Sequence, residues 1–236
     1  MAAAWAQWEH VTKIDPDKPL HDEDSYVDIA DTGTDAIIIG GTTNVTEARV
    51  QPILNALSST EIPIFVEPTY RPSSSHTEAL SGYLLPIVLN ADDPLWITGA
   101  HHEWVRSSDL EWDYVHPEAY IVLNPASSVA TYTQADCDLD VDDVVAYTTL
   151  AEQILGQQIV YLEYSGTLGD PAVVAAVRDA LSSAQPFYGG GIHDYDSAYE
   201  MAKVADTVVV GDVLHDAGIE AVEATVRGTT DAKHES

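Results

Sequence analysis

The sequence predicts an α/β protein, a (β/α)₈ TIM barrel modified so that the third helix is shortened or replaced by a loop. Three observations carry this expectation. Eight short apolar runs recur along the 236 residues. The runs are apolar on both faces, as parallel strands buried beneath helices are. Most intervals between them carry helical spacing, and strand then helix, repeated eight times, is the pattern of a closed barrel.

Taken in order, the first run is "HVTKID" and the second "DAIIIGG". After the second, "TEARVQPILNALSS" predicts a helix over residues 46 to 59, opened by a capping Thr46. The third run, "IPIFVEP", leads into "TYRPSSSHTEALSG", where a proline, a serine run and a closing glycine break any long helix. That interval is where the third helix is expected to be lost, leaving an opening in the helical ring. "YLLPIVLN" and "AYIVLNP" form the fourth and fifth runs, and a helix is expected over 141 to 155. "QIVYLEYSG" is followed by a helix over 171 to 183 that opens on a proline, a favoured first helical residue. "QPFYGGG" precedes a helix over 196 to 205, and "DTVVVGD" is the eighth run. No linker or internal repeat interrupts this alternation, so residues 1 to 236 read as one barrel domain, with a polar tail fraying from about residue 228.

Charge narrows the partners. Nine Lys plus Arg stand against 39 Asp plus Glu, a formal charge of −30 at pH 7. Such a surface repels a phosphate backbone, which excludes nucleic acid. Dispersed carboxylates with lysine almost eliminated are expected of a halophilic surface, one adapted to high salt that screens their mutual repulsion. Neither a run of 18 uninterrupted apolar residues nor a basic segment leading into an apolar one occurs, so neither a membrane span nor a signal peptide is expected, and the expected location is cytoplasmic. Cys137 is the single cysteine, set among acids that keep a thiol protonated, and has no expected role.

In a barrel the chemistry sits at the carboxyl ends of the strands, so the residues that close each run are the informative ones. Gly189, Gly190 and Gly191 close the seventh run and Gly211 with Asp212 the eighth. Bare backbone at two adjacent strand ends, next to helix N-termini, suits a phosphate group, although glycines also serve tight turns. Glu163 lies within the sixth run between Tyr161 and Tyr164, and is a candidate for binding or deprotonating a substrate hydroxyl, or else a carboxylate paired with a neighbour. Lys13 and Asp15 leave the first strand's end on one face. They suit a phosphate and a magnesium ion respectively, or they form an ion pair; the scarcity of lysine favours the former. The nine histidines have no metal-binding spacing and read as mostly solvated, with His193 the one placed beside "GGGI". Trp96, Trp104 and Trp112, near Tyr83, Leu84, Leu85 and Ile87, are core by default, though an elongated apolar ligand would need such a lining.

"TKIDPDK", "IIIGGT", "YLEYSGTLGDP", "GGGI" and "ADTVVVGD", in this order and across nearly the whole chain, resemble the geranylgeranylglyceryl phosphate synthases, relatives of the bacterial heptaprenylglyceryl phosphate synthases. The resemblance implies a barrel lacking its third helix and a prenyltransferase activity: the C3 hydroxyl of sn-glycerol 1-phosphate attacks C1 of geranylgeranyl diphosphate, releasing diphosphate with the help of Mg²⁺. Carried over by position, it implies that Lys13, the run Tyr161, Leu162, Glu163, Tyr164, Ser165 and Gly166, with Gly191, Gly211 and Asp212, contact the glycerol phosphate. Glu163 and Lys13 would be catalytic, and Asp15 and Thr42 would hold Mg²⁺. A homodimer, and transient membrane contact for product release, are implied as well. The chain departs from the family pattern at Leu168, His193, Asp194 and Asp212. Lys18 is expected to face either the diphosphate or solvent. Two other readings share the glycine motif: a different phosphate-binding barrel enzyme, and a noncatalytic barrel that binds a phosphorylated ligand.

Overall fold

All eight apolar runs become strands: β1 His10–Ile14, β2 Ala36–Gly40, β3 Ile64–Glu67, β4 Gly82–Val88, β5 Val115–Val122, β6 Ile159–Glu163, β7 Gln185–Gly189 and β8 Thr207–Val210. They pair in parallel with each sequence neighbour, and β8 pairs with β1 through Val11↔Val209, so the sheet closes into a barrel. These features belong to a computed structural model that describes residues 4–22, 24–68, 78–107 and 111–235.

Side chains alternate across the closed sheet. Val11, Ile38, Phe65, Leu84, Tyr120, Tyr161, Phe187 and Val209 point inward and pack together. Ile14, Ile37, Ile39, Val66, Ile121, Leu162 and Tyr188 point outward beneath the helices. At the amino-terminal end, Trp5 and Trp8 are buried across the barrel floor. Trp5 meets the ring of His116 edge-on at 4.8 Å, and Trp8 meets Phe65 at 5.3 Å. With the floor plugged by aromatic rings, the barrel interior, as far as the described residues show, opens at the carboxyl end.

The outer layer holds α1 Tyr26–Ala30, α2 Glu47–Leu57, α3 Gly99–Ser107, α4 Ser128–Thr133, α5 Val141–Thr149, α6 Pro171–Ala180, α7 Tyr195–Ala202, α8 Asp212–Asp216 and α9 Ile219–His234. The four helices expected from sequence are α2, α5, α6 and α7, and the last three open on caps that accept backbone N–H groups: Asp140, Asp170 and Asp194. Helix α5 continues as a π-helical turn, Leu150–Ile154. Between β3 and β4 no helix occurs among the described residues, and residues 69–77, on which the expectation of a lost third helix mainly falls, lie outside them.

The carboxyl-terminal tail departs from expectation. Residues 228–234 are the last part of α9, which buries Thr225, Gly228, Thr229 and Ala232 along one face. A side chain at Gly228 would place its Cβ 2.3 Å from the carbonyl oxygen of Tyr195, so glycine is what lets α9 lie against α7. Lys233 then donates to the Ala205 carbonyl at 2.6 Å.

His10 is likewise not solvated. It is buried beneath α9, with Nδ1 2.9 Å from Thr34 Oγ1 and Nε2 3.0 Å from Thr225 Oγ1. Burial penalises the charged ring and lowers its pKa to about 3 from an ordinary 6.5. The unfolded chain therefore takes up a proton that the folded chain refuses. Stability from this site is complete above about pH 6.5 and is lost as pH falls toward about 3, by at most about 1.4 kcal/mol per pH unit. Chemical unfolding followed between pH 7 and pH 4 should give a shallower slope for His10→Asn than for the wild type. Identical slopes would show that His10 is not the group responsible.

Candidate active site

Inward-facing residues near the carboxyl end of the barrel are polar, and they surround a cavity of about 1070 Å³. Lys13 of β1 crosses the barrel to Glu67 of β3. Its Nζ donates to Glu67 Oε1 at 2.7 Å and Oε2 at 2.9 Å, and to the Tyr120 hydroxyl at 3.1 Å. Tyr120 in turn donates to Glu67 Oε2 at 2.8 Å. The Tyr120 and Tyr161 rings stack 4.3 Å apart, with Lys13 Nζ 5.4 Å from the Tyr161 ring centre. Burial works to lower the Lys13 pKa, but Glu67, then Glu163, outweigh it and raise the value, so the ammonium stays charged.

On β6, Tyr161 and Glu163 face the cavity. Glu163 is 6% exposed, and its Oε1 accepts from the Ser165 backbone N–H at 2.7 Å and the Ser165 hydroxyl at 2.6 Å. No described residue donates to Oε2, which is left for a ligand. Burial raises the Glu163 pKa, opposed by the Lys13 charge and by the Ser165 hydrogen bonds. The alternation of the strand corrects two expected contacts. Leu162 is fully buried in the outer layer, and Tyr164 packs there too, 5.8 Å from the Tyr188 ring; neither side chain lines the cavity.

One wall is built from backbone. Ser165, Gly166 and Thr167 after β6, Gly190 and Gly191 after β7, and Gly211 and Asp212 after β8 line the same side. Gly191 adopts φ 63°, and a Cβ there would lie 2.1 Å from the Leu168 nitrogen, so its glycine serves both the turn and the close approach of the β6 loop. His193 is on the rim, its Nδ1 3.0 Å from the Gly191 carbonyl oxygen.

Lys18 lies at the cavity mouth, half exposed. Its Nζ donates to Asp212 Oδ1 at 2.7 Å across the cavity mouth, with both side chains about half exposed. The Lys18 ammonium thereby offsets the Asp212 carboxylate beside the backbone wall.

Asp15 does not pair with Lys13. Asp15 Oδ1 accepts from the Asp17 N–H at 2.9 Å, and the Asp15 N–H donates to His215 Nε2 at 3.1 Å. His215 Nδ1, 2.8 Å from the Pro19 carbonyl, must be the donor there, which makes the ring a neutral clamp on the loop that carries Asp15 and Lys18. Thr42 Oγ1 is 3.1 Å from Ser128 Oγ. Asp15 and Thr42 both line the cavity, and no cluster of three or more His, Cys, Asp or Glu suited to a metal occurs among the described residues. One carboxylate and one hydroxyl on a rim fit Mg²⁺, which takes few protein ligands and completes its shell with water and phosphate oxygens.

The opposite wall is apolar: Pro86, Val88, Trp96, Val129 and Tyr132, with the Trp96 and Tyr132 rings 5.0 Å apart. Of the expected aromatic lining only Trp96 belongs to it. Trp104 is buried in the outer layer against Tyr83, and Trp112 is 61% exposed. Sequence reasoning missed Glu67 as a site residue, although it closes the third run just as Glu163 closes the sixth. It also missed Tyr120 and His215, for which no local signal existed.

The profile of the PcrB family matches residues 3–229. Geranylgeranylglyceryl phosphate synthase of Halobacterium salinarum is 57% identical over 235 residues, covering 100% of both chains. The synthase of the same name from Natronomonas pharaonis is 54% identical, covering 98% of this chain and 99% of its own. Among solved structures, the (S)-3-O-geranylgeranylglyceryl phosphate synthase of Thermoplasma acidophilum, crystallised with its substrate sn-glycerol-1-phosphate, superposes with a TM-score of 0.80 at 24% identity, covering 97% of this chain and 95% of that one. This likeness supports the fold.

Replacing Glu67 removes the carboxylate that hydrogen-bonds the buried Lys13 ammonium. Glu67→Leu should therefore destabilise the protein by roughly 3–5 kcal/mol in denaturant unfolding. A loss under about 1 kcal/mol, the size of an exposed ion pair, would mean that the cavity solvates Lys13 well enough to replace Glu67.

Proposed function

The chain belongs to the PcrB family, and on that premise we propose that it is a prenyltransferase joining the C3 hydroxyl of sn-glycerol 1-phosphate to geranylgeranyl diphosphate. The observation that carries the reading is the position of Glu163. Its carboxylate is held by Ser165 between a wall of backbone amides and an apolar wall headed by Trp96. A small phosphorylated alcohol and a prenyl chain need those two surfaces, with a base between them.

The glycerol phosphate is placed with its phosphate on the Ser165–Thr167, Gly190–Gly191 and Gly211–Asp212 backbone, which directs its hydroxyl toward Glu163. Oxygen attacks C1 of the prenyl diphosphate, the new C–O bond forms as the bond from C1 to the diphosphate oxygen breaks, and the hydroxyl proton passes to Glu163 Oε2. Lys13 supplies fixed positive charge beneath the reacting groups, and Tyr120 and Glu67 keep its ammonium in place. Asp15 and Thr42 would hold Mg²⁺, which, when bound, offsets the charge that gathers on the departing diphosphate. Trp96 and Tyr132 provide a surface for the prenyl chain and keep water from it.

The test uses purified protein in high potassium chloride with Mg²⁺, labelled sn-glycerol 1-phosphate and prenyl diphosphates of several lengths. An ether-linked product, formed fastest with the twenty-carbon donor, is expected. A folded protein that yields no such product with any donor would overturn the reaction. Glu163→Gln should cut turnover by about 10²–10⁴-fold with its unfolding midpoint unchanged; turnover equal to wild type would remove Glu163 from the mechanism.

Lys18→Ala bares the Asp212 carboxylate beside the phosphate wall. It should raise KM for the glycerol phosphate more than for the prenyl diphosphate, and a second change, Asp212→Asn, should restore it. The opposite order of KM effects would assign Lys18 to the diphosphate instead.

A further inference from the structure

Glu118 lies on β5 between His116 and Tyr120, the inward-facing positions below and above it, and is fully buried. It does not reach the cavity, and the reaction above makes no use of it. Neither of its carboxyl oxygens receives a hydrogen bond from a described residue. Beneath it the Phe65 and His116 rings lie 6.0 Å apart, with Trp5 against His116. Above it, its carboxyl is within hydrogen-bonding reach of the Glu67 carboxyl.

Two carboxyl groups this deeply buried do not meet unless one of them keeps its proton. Among the described residues Lys13 is the one cation near three buried carboxyl groups, those of Glu67, Glu118 and Glu163. Glu67 and Glu163 have donors of their own, from Lys13, Tyr120 and Ser165; Glu118 has none. Glu67 also has room for one more. A carboxylate offers about four acceptor positions, and Lys13 uses two and Tyr120 one.

We propose that Glu118 is a positioning residue for the transfer reaction, a neutral carboxylic acid that donates its proton to Glu67 and so orients the carboxylate that holds Lys13. The assignment of that role rests on the reading of Lys13 and Glu163 given above. Burial, and next the Glu67 charge, push the Glu118 carboxyl well above the usual range, with Lys13 acting in the opposite sense. With Glu118 neutral, the buried group of Lys13, Glu67 and Glu163 carries one net negative charge. An ionised Glu118 would add a second negative charge beneath a site for two anionic substrates.

Infrared spectroscopy of the full chain at neutral pH reads the proton directly. A carboxylic-acid C=O stretch should be present in the wild type, persist in Glu163→Gln and vanish in Glu118→Gln. In the transfer assay, Glu118→Gln keeps a neutral N–H donor for Glu67 and should hold KM for the glycerol phosphate within about threefold. Glu118→Leu removes the donor and should raise that KM about tenfold or more, with a smaller change in kcat. Absence of the band in the wild type, or its survival in Glu118→Gln, overturns the proposal. So does a folded Glu118→Gln whose KM rises as far as that of Glu118→Leu. If Glu118→Leu does not fold, the band and KM of Glu118→Gln decide the matter. A wild type that shows the band and yet forms no ether product counts against the reaction and not against the proton on Glu118.

Discussion

One ammonium group makes the upper half of this barrel possible. Lys13 stands where a packed barrel would place another aliphatic side chain, and its charge lets Glu67 and Glu163 be buried beside it. Without a cation there, each carboxylate would lose its hydration for neutral donors alone, Tyr120 for Glu67 and Ser165 for Glu163. The consequences spread outward from that contact. Lys13 and Glu67 fix the Tyr120 hydroxyl, and Tyr120 stacks on Tyr161. The Tyr161 hydroxyl presses on Gly189 so closely that a Cβ there would lie 2.2 Å from it. The glycines at the end of β7, read from sequence as turn or phosphate residues, are thus also the space that the aromatic stack requires. Charge pairing within the barrel and bare backbone at its rim are parts of one arrangement.

A second tension runs through the molecule. A chain of formal charge −30 has a cavity suited to anions, and two of its four lysines line that cavity. Each is held by an acid, Lys13 by Glu67 and Lys18 by Asp212. Deep in the barrel, where both side chains are largely buried, such a pair is held firmly and gives a fixed field. At the half-exposed mouth it is weak and screened by salt, so an incoming phosphate can compete for it. Depth in the barrel, more than residue type, separates what Lys13 can do from what Lys18 can do.

Much of this was legible in the chain. All eight strands were readable, because burial on both faces writes a parallel strand as an unbroken apolar run and because the turn residues between runs are local signals. The residues that close those runs were readable too, and that brought Lys13, Asp15, Glu163 and the two glycine motifs to attention. What failed had one of two causes. Leu162 and Tyr164 were taken with their neighbours as a block, whereas the period of two sends alternate side chains to opposite faces. The tail was judged by its polar composition, whereas its small residues at 225, 228, 229 and 232 form a helix face whose value depends on α7 lying opposite.

The sequence by itself determined the class of fold, the end of the barrel at which chemistry occurs and most of the residue types found there, since these follow from short-range pattern and from the geometry of any closed parallel sheet. Only the tertiary structure decided partners. Lys13 meets Glu67 across 54 positions, His215 clamps Asp15 across 200, and Glu118 lies against a carboxyl from another strand. Closure of the barrel brings together side chains whose charges and protons depend on each other, and no local stretch of chain carries that information.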